Sequence, residues 1–201
     1  GDTLDCQLLS SDTCAAPTTA DATPIVMTVN ATFTPSVNIV ADVGSSICSN
    51  AAVTFTATPV NGGATPAYQW QTNTVNVTGQ TASTFTTSNL KNLDAVTVVM
   101  TPSSEICVTA ATATSEAVTM TVNPIPSSRI TAAGGVVQDS PGNTATVPDA
   151  GVGATYVWTI ANGTITAGQG TASLVYTAGN TIGTLTLGCT VTTAAGCSSL
   201  S

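Results

Sequence analysis

An all-β chain of antiparallel β-sandwiches, with essentially no helix, is predicted by three observations. Strand-forming residues dominate the composition, apolar and polar positions alternate at period two between turn signals, and a repeat recurs at the spacing of one small sandwich domain. Thr is the commonest of the 201 residues, with 41 copies, and with Val, Ala, Ser, Gly and Asn it makes up most of the chain. Side chains branched at Cβ suit a pleated, half-buried surface and are neutral or poor in helices. Helix formers are scarce, and no stretch carries an apolar stripe at helical period with caps.

The repeat divides the chain. Residues 14–30 (CAAPTTADATPIVMTVN) align without a gap on residues 107–123 (CVTAATATSEAVTMTVN) with seven identities and an offset of 93. Just upstream, Gly1-Asp2-Thr3-Leu4 matches Leu93-Asp94-Ala95-Val96 once a single residue is allowed between that match and the Cys. A period of this size is that of one sandwich domain and not of a solenoid turn. Residues 1–30 are therefore expected to be the last two strands of a preceding domain, and residues 31–123 a complete one. Residues 124–201 are expected to form a third sandwich that lacks its last strand.

In the complete unit, the strands predicted are Ser36–Ala41, Val53–Thr58, Ala67–Gln71, Val75–Thr78, Ser83–Thr87, Ala95–Thr101 and Ala117–Val122. In VTFTATP, Val53, Phe55 and Ala57 share one face and Thr54, Thr56 and Thr58 the other, the pattern of a sheet buried on one side. Asn61-Gly62-Gly63 supplies a loop with positive-φ positions. Asn123-Pro124-Ile125-Pro126 ends the unit with a restricted linker. Beyond it come strands near Arg129–Ala132 and Thr144–Val147. Tyr156-Val157-Trp158 then answers Tyr68-Gln69-Trp70 of the preceding unit, and NGTITAGQGTASLVYT and GTLTLGCTVTTAAGCSS follow.

Charge excludes several functions. Only 6% of the residues are charged, Lys91 and Arg129 are the only basic ones, His is absent and the net charge is −8. Such a chain lacks the electrostatic footprint for nucleic acid or an anionic membrane. Most general-base, triad and zinc-site chemistries lose their usual residues, so no enzyme activity, metal or cofactor is expected. No apolar run reaches 18 residues, so direct membrane insertion is not expected. The start, GDTLDCQLLS, lacks a signal peptide's basic head and long apolar centre and reads as a mature or excised segment.

Six cysteines, Cys6, Cys14, Cys48, Cys107, Cys189 and Cys197, without zinc-site spacing, favour disulfides and an oxidising, extracytoplasmic location. Cys6 and Cys14, and likewise Cys189 and Cys197, are eight apart across a predicted hairpin, which places both pairs to close as cross-strand disulfides. Val98 stands where Cys6 would have its counterpart, so Cys107 has only Cys48 as a partner inside its own unit. The remaining possibility is reduced core cysteines.

Tyr68, Trp70, Tyr156 and Trp158 fall on predicted third strands with each Tyr two positions before its Trp, and they are expected to fill the sandwich cores. A sugar-stacking platform is the competing use of the same rings. The ten acidic residues are scattered and no DxDxDG-like loop exists, so they read as solvated surface acids, with a weak Ca2+ site between loops, such as Asp42 with Asp94, as the alternative. No GxSxG occurs, and GQGTAS at 168–173 reads as a turn and not a phosphate cradle. Thr ladders such as TFTAT read as the wet face of a strand rather than a binder of an ordered surface. Asn30, Asn76 and Asn162 begin N-glycosylation patterns that carry little weight in so Thr-rich a sequence.

Residues 46–73 (SICSNAAVTFTATPVNGGATPAYQWQTN) and 90–124 (LKNLDAVTVVMTPSSEICVTAATATSEAVTMTVNP) resemble the Ig-like repeats of very large secreted and surface proteins of Bacteroidetes. TYVWTIANGTITAGQGTASLVYT with TVTTAAGCSS is similar to the PKD-like modules found beside them. The resemblance implies a tandem of Ig-like and PKD-like β-sandwiches in an adhesin, a gliding-motility surface filament or the stalk of a secreted enzyme. It also implies secretion and attachment at the cell surface. The sequence departs from the family at Val98, where a Cys is often found, and at Asn92-Leu93-Asp94, where Asn-Gly-Asp is common. Asp2-Thr3-Leu4 fits the O-glycosylation signal of that phylum, which makes Thr3 a candidate site.

The expected function is thus that of a non-enzymatic, disulfide-stabilised spacer or stalk in an extracellular adhesin or filament. Its partners would be neighbouring Ig-like domains of the same long chain or adjacent subunits, with surface glycans as further candidates. Two alternatives come from other classes: an accessory carbohydrate-binding or scaffold module of a secreted polysaccharide-degrading enzyme, and a filament subunit assembled by strand donation.

Overall fold

The computed structural model describes residues 2–17, 19–103 and 107–201, and these form only strands, turns and loops. No helix among them is long and apolar enough to cross a membrane. The chain opens with β1 (Asp2–Leu4), β2 (Gln7–Leu9), β3 (Thr19–Asp21) and β4 (Ile25–Met27). Among the described residues these strands pair only with one another, β1 with β4 and β2 with β3, as one long antiparallel hairpin. Leu4, Leu8, Leu9, Ile25, Val26, Met27 and Val29 are all exposed on it.

A first cored body follows. In one sheet β7 (Val53–Val60) lies between β5 (Ser36–Ala41) and β10 (Thr84–Thr87). In the facing sheet β8 (Ala67–Thr72) lies between β9 (Val75–Asn76) and β11 (Ala95–Thr101), which also pairs with β12 (Ala113–Thr114) and β13 (Val118–Thr119). The period-two alternation fixes which faces meet: Val53, Phe55 and Ala57 point inward from β7, and Val96, Val98 and Met100 from β11. Phe55, Trp70 and Phe85 form the centre, with ring centroids 5.6–6.2 Å apart. The loop at Asn61-Gly62-Gly63 has the expected left-handed positions, φ 52° at Asn61 and 76° at Gly63, and the Asn61 side chain donates to the Thr34 carbonyl at 2.9 Å.

The segment predicted as one strand over Ala117–Val122 is two. At Met120 the chain leaves β11 and joins the other side of the body. There β14 (Thr121–Asn123) runs parallel to β6 (Ser46–Cys48), a three-residue strand too short to leave an alternation signal. Met120 itself is fully buried, and its N–H donates to the Asp94 carbonyl.

The second cored body repeats the two-sheet plan. One sheet has the order β15 (Thr131–Ala132), β16 (Asn143–Thr146), β19 (Ser173–Ala178), β18 (Gly163–Ala167), and the other the order β17 (Thr155–Ala161), β20 (Thr186–Thr192), β21 (Ser198–Leu200). Its core holds Ala145, Val147, Tyr156, Trp158, Leu174, Tyr176, Cys189 and Val191.

Both tryptophans do the same work. The Trp70 indole N–H donates to the Ala82 carbonyl at 2.9 Å and that of Trp158 to the Thr171 carbonyl at 2.8 Å, so each ring is buried with its one polar atom satisfied by the loop that follows. In the first body the outer edge of the tryptophan strand is closed by backbone, the Trp70 carbonyl accepting from Val77 N–H. In the second, the Gln169 side-chain amide takes that place, accepting from Trp158 N–H at 3.2 Å and donating to its carbonyl at 3.1 Å.

Candidate functional site

The chemically distinctive feature of the described residues is a disulfide between Cys48 and Cys197, 149 residues apart in sequence with Cα atoms 5.6 Å apart. It joins the first body to the second. Cys48 closes β6, where the register sets it beside Asn123, the last residue of β14. Asn123 is held there by its side-chain amide, which donates to the Ser46 hydroxyl at 3.1 Å and the Ile47 carbonyl at 3.2 Å. Its carbonyl accepts from the Ser49 N–H at 2.8 Å and hydroxyl at 3.1 Å. Cys197 lies at the turn between β20 and β21, with its sulfur 3.9 Å from that same carbonyl. The bond therefore spans the point where the chain leaves the first body, immediately ahead of Pro124 and Pro126. Cys197 is almost fully buried and Cys48 half-buried.

This pairing corrects the expected ones. Cys189 does not face Cys197, because the turn of their hairpin spans Thr193–Cys197 and is not centred between the two cysteines. Cys197 lies opposite Thr193, and Cys189 lies opposite Ser201, whose N–H donates to it. Cys189 instead points into the core beside Trp158, where burial pushes its thiol pKa above the usual value.

Cys6 likewise faces Ala22, whose N–H donates to its carbonyl, and Cys14 lies in the loop beyond, so both are unpaired thiols. Cys48 and Cys107 are at opposite ends of β5. Cys107 accepts from the Phe33 N–H ahead of that strand, whereas Cys48 follows its far end, about 20 Å away for a six-residue strand.

Trp70, Tyr156 and Trp158 are buried and Tyr68 is half-buried, so these four rings present no stacking platform. The Tyr156 hydroxyl donates to the Asp149 carboxylate at 2.8 Å and accepts from the Ala150 N–H at 2.8 Å, tying the loop ahead of β17 to the core. The Gly151 N–H and then the Tyr156 hydroxyl hold the Asp149 carboxyl below its usual range.

The acids work as turn ties. Asp42 accepts from the Thr54 N–H, while Asp94 accepts from the Asn73 amide and the Lys91 N–H. Among the described residues no three of His, Cys, Asp and Glu converge. Thr3 is exposed on β1 opposite Val26. A groove of about 530 Å3 beside Phe85, Leu90 and Asp94 contains that one, already hydrogen-bonded, carboxylate.

The link between bodies is the feature that sequence reasoning missed. Its one local signal was SIC, a short apolar segment beside a cysteine, which pairs with TVN. No family model matches the chain, and no curated protein matches it.

Proposed function

We propose that the chain is a structural spacer segment of a secreted, cell-surface protein, built from Ig-like and PKD-like sandwiches and acting mechanically rather than catalytically. The observation that supports this most is the route of the covalent path. A pull along the chain that enters from the N-terminal hairpin passes through β5 and β6 to Cys48, crosses the disulfide to Cys197 and leaves after it, so that the second core, and all of the first except Val37, Ile39 and Ile47, lie off the path. The bypassed 149-residue separation is about 500 Å of extended chain that tension is prevented from drawing out.

A disulfide of this kind persists in an oxidising compartment, which accords with an extracellular site. The surface is also poor in charge, with two basic residues in the whole sequence, which leaves few points for trypsin-like cleavage. The resemblance of residues 46–73 and 90–124 to surface repeats of Bacteroidetes supplies the setting, an adhesin or filament.

Single-molecule pulling from the two termini tests the reading. The oxidised protein is expected to lengthen only by the segments outside the disulfide, and reduction is expected to add about 500 Å of extension. An oxidised protein that extends as far as the reduced one would overturn it.

A further inference from the structure

The N-terminal hairpin repeats the final hairpin of the first body, and the structure shows this independently of the sequence alignment. In the first body Val96 pairs with Val118, Ala95 with Thr119, Met100 with Ala113 and Val99 with Thr114. In the hairpin Leu4 pairs with Ile25, Thr3 with Val26, Leu8 with Ala20 and Gln7 with Asp21. Each pair maps onto its counterpart by the same two offsets, 92 on the first strand and 93 on the second. The burial, however, is inverted. Val96, Val98, Met100 and Met120 are 0% exposed, whereas their counterparts Leu4, Leu8 and Met27 are 64%, 67% and 55% exposed, and Cys6 is exposed as well. Leu4, Cys6 and Leu8 lie on one face with Ile25 and Met27, while Thr3, Asp5 and Gln7 occupy the other together with Leu9 and Val26.

We propose that this face is an interaction surface whose partner is an incomplete sandwich: a polypeptide segment with the chemistry of residues 31–92, lacking its own final hairpin. The occupant is read from the chain itself. In the first body the equivalent face shares one core with Ile39 and Phe55 of the facing sheet, and its strand edge pairs with β8, which sets Trp70 beside Val98. A partner must therefore offer an unpaired tryptophan-bearing strand as an edge, together with an aromatic and aliphatic inner face. A second copy of this chain does not qualify as it stands, because β11 to β14 already fill that position in its first body. The inference shares with the proposed function only the reading of the chain as a run of sandwiches. Pulling reads the disulfide and the experiment below reads the hairpin, so the two fail separately.

The offsets dictate the experiment. Gly1 corresponds to Leu93, so a second copy of residues 31–92 joined directly ahead of Gly1 recreates the order of a complete unit with the hairpin as its ending. In the 201-residue chain Cys6 is expected to alkylate freely. In the extended chain it takes the inward position of Val98, and its alkylation is expected to slow at least tenfold while Cys14 stays reactive. The added tryptophan is expected to emit as a buried ring, and Leu4→Asp with Met27→Asp is expected to abolish both changes. Cys6 reacting at its original rate, with the added tryptophan emitting as a wet one, overturns the proposal. A companion chain carrying a copy of residues 31–123 ahead of Gly1 shows that the added segment folds when given its own hairpin. If the companion buries its tryptophan and the first chain does not, the hairpin is not the complement of that surface.

Discussion

Replacing Cys197 with Ser removes the link between the bodies while leaving both cores intact, and its cost follows from the loop the disulfide closes. For the fully unfolded chain the 149-residue separation corresponds, in the chain-entropy model, to about 5 kcal/mol. The structure shows that most of this falls on the first unfolding event. Cys48 is held beside Asn123 while the first body is folded, so unfolding the second body alone opens a loop of only 74 residues, from Asn123 to Cys197, worth about 4.4 kcal/mol. Once either body has unfolded, unfolding the other enlarges the loop to its full length for only about 0.6 kcal/mol more. The disulfide therefore protects each body against unfolding by itself and draws the two transitions together.

Guanidinium titration followed by tryptophan fluorescence reads this directly, with Trp70→Phe and Trp158→Phe variants reporting one body each. The oxidised protein is expected to show nearly coincident transitions. Cys197→Ser is expected to separate them, the less stable body losing about 4 kcal/mol. A loss below about 1 kcal/mol in both bodies, with transitions as coincident as before, would refute the reasoning.

Other outcomes follow from single positions. Alkylation of the oxidised native protein is expected to modify Cys6, Cys14 and Cys107 and to spare Cys189, which should react only in denaturant; mass spectrometry of the labelled chain checks this. Gln169→Ala removes both hydrogen bonds that close the Trp158 edge of β17 and is expected to destabilise the second body by about 1–3 kcal/mol, measured by denaturant titration. Gly168 has φ +83°, and a Cβ there would collide with the Ser173 carbonyl, so Gly168→Ala is expected to cost about 3 kcal/mol or more in the same assay.

Tyr156→Phe is expected to weaken the second body at neutral pH. Because the folded carboxyl of Asp149 titrates below its unfolded value, its contribution is present above the unfolded value and is lost as pH falls through the folded one. The difference between wild type and Tyr156→Phe should therefore shrink on acidification, as thermal melts across the acid range would show.

The strands were legible because burial on one face writes itself as alternation. Val53, Phe55 and Ala57 read as inward, and they are; Ser36–Ala41 and Ala95–Thr101 have the predicted ends. Trp70 and Trp158 were legible as core because a ring of that size needs a filled interior. β6 left no alternation to read, since three residues show no period, and the break at Met120 is a change of partner within an unbroken alternation.

The disulfide was out of reach for a related reason. Equal spacing of eight suggested facing pairs, but pairing depends on where a turn is centred. The shift of one turn toward Cys197 places Cys189 opposite Ser201 and frees Cys197 for another body. Local spacing carries no information about a neighbour contributed by a different core.

The two basic residues make the clamp directly readable. After free thiols are blocked in denaturant, trypsin cleaves beyond Lys91 and Arg129 and yields fragments 1–91, 92–129 and 130–201. Mass analysis without reduction is expected to find 1–91 bound to 130–201, with 92–129 released carrying an alkylated Cys107, and the bound pair is expected to vanish in Cys197→Ser. Fragment 1–91 bound instead to 92–129, with 130–201 released, would contradict a covalent link between the two cores.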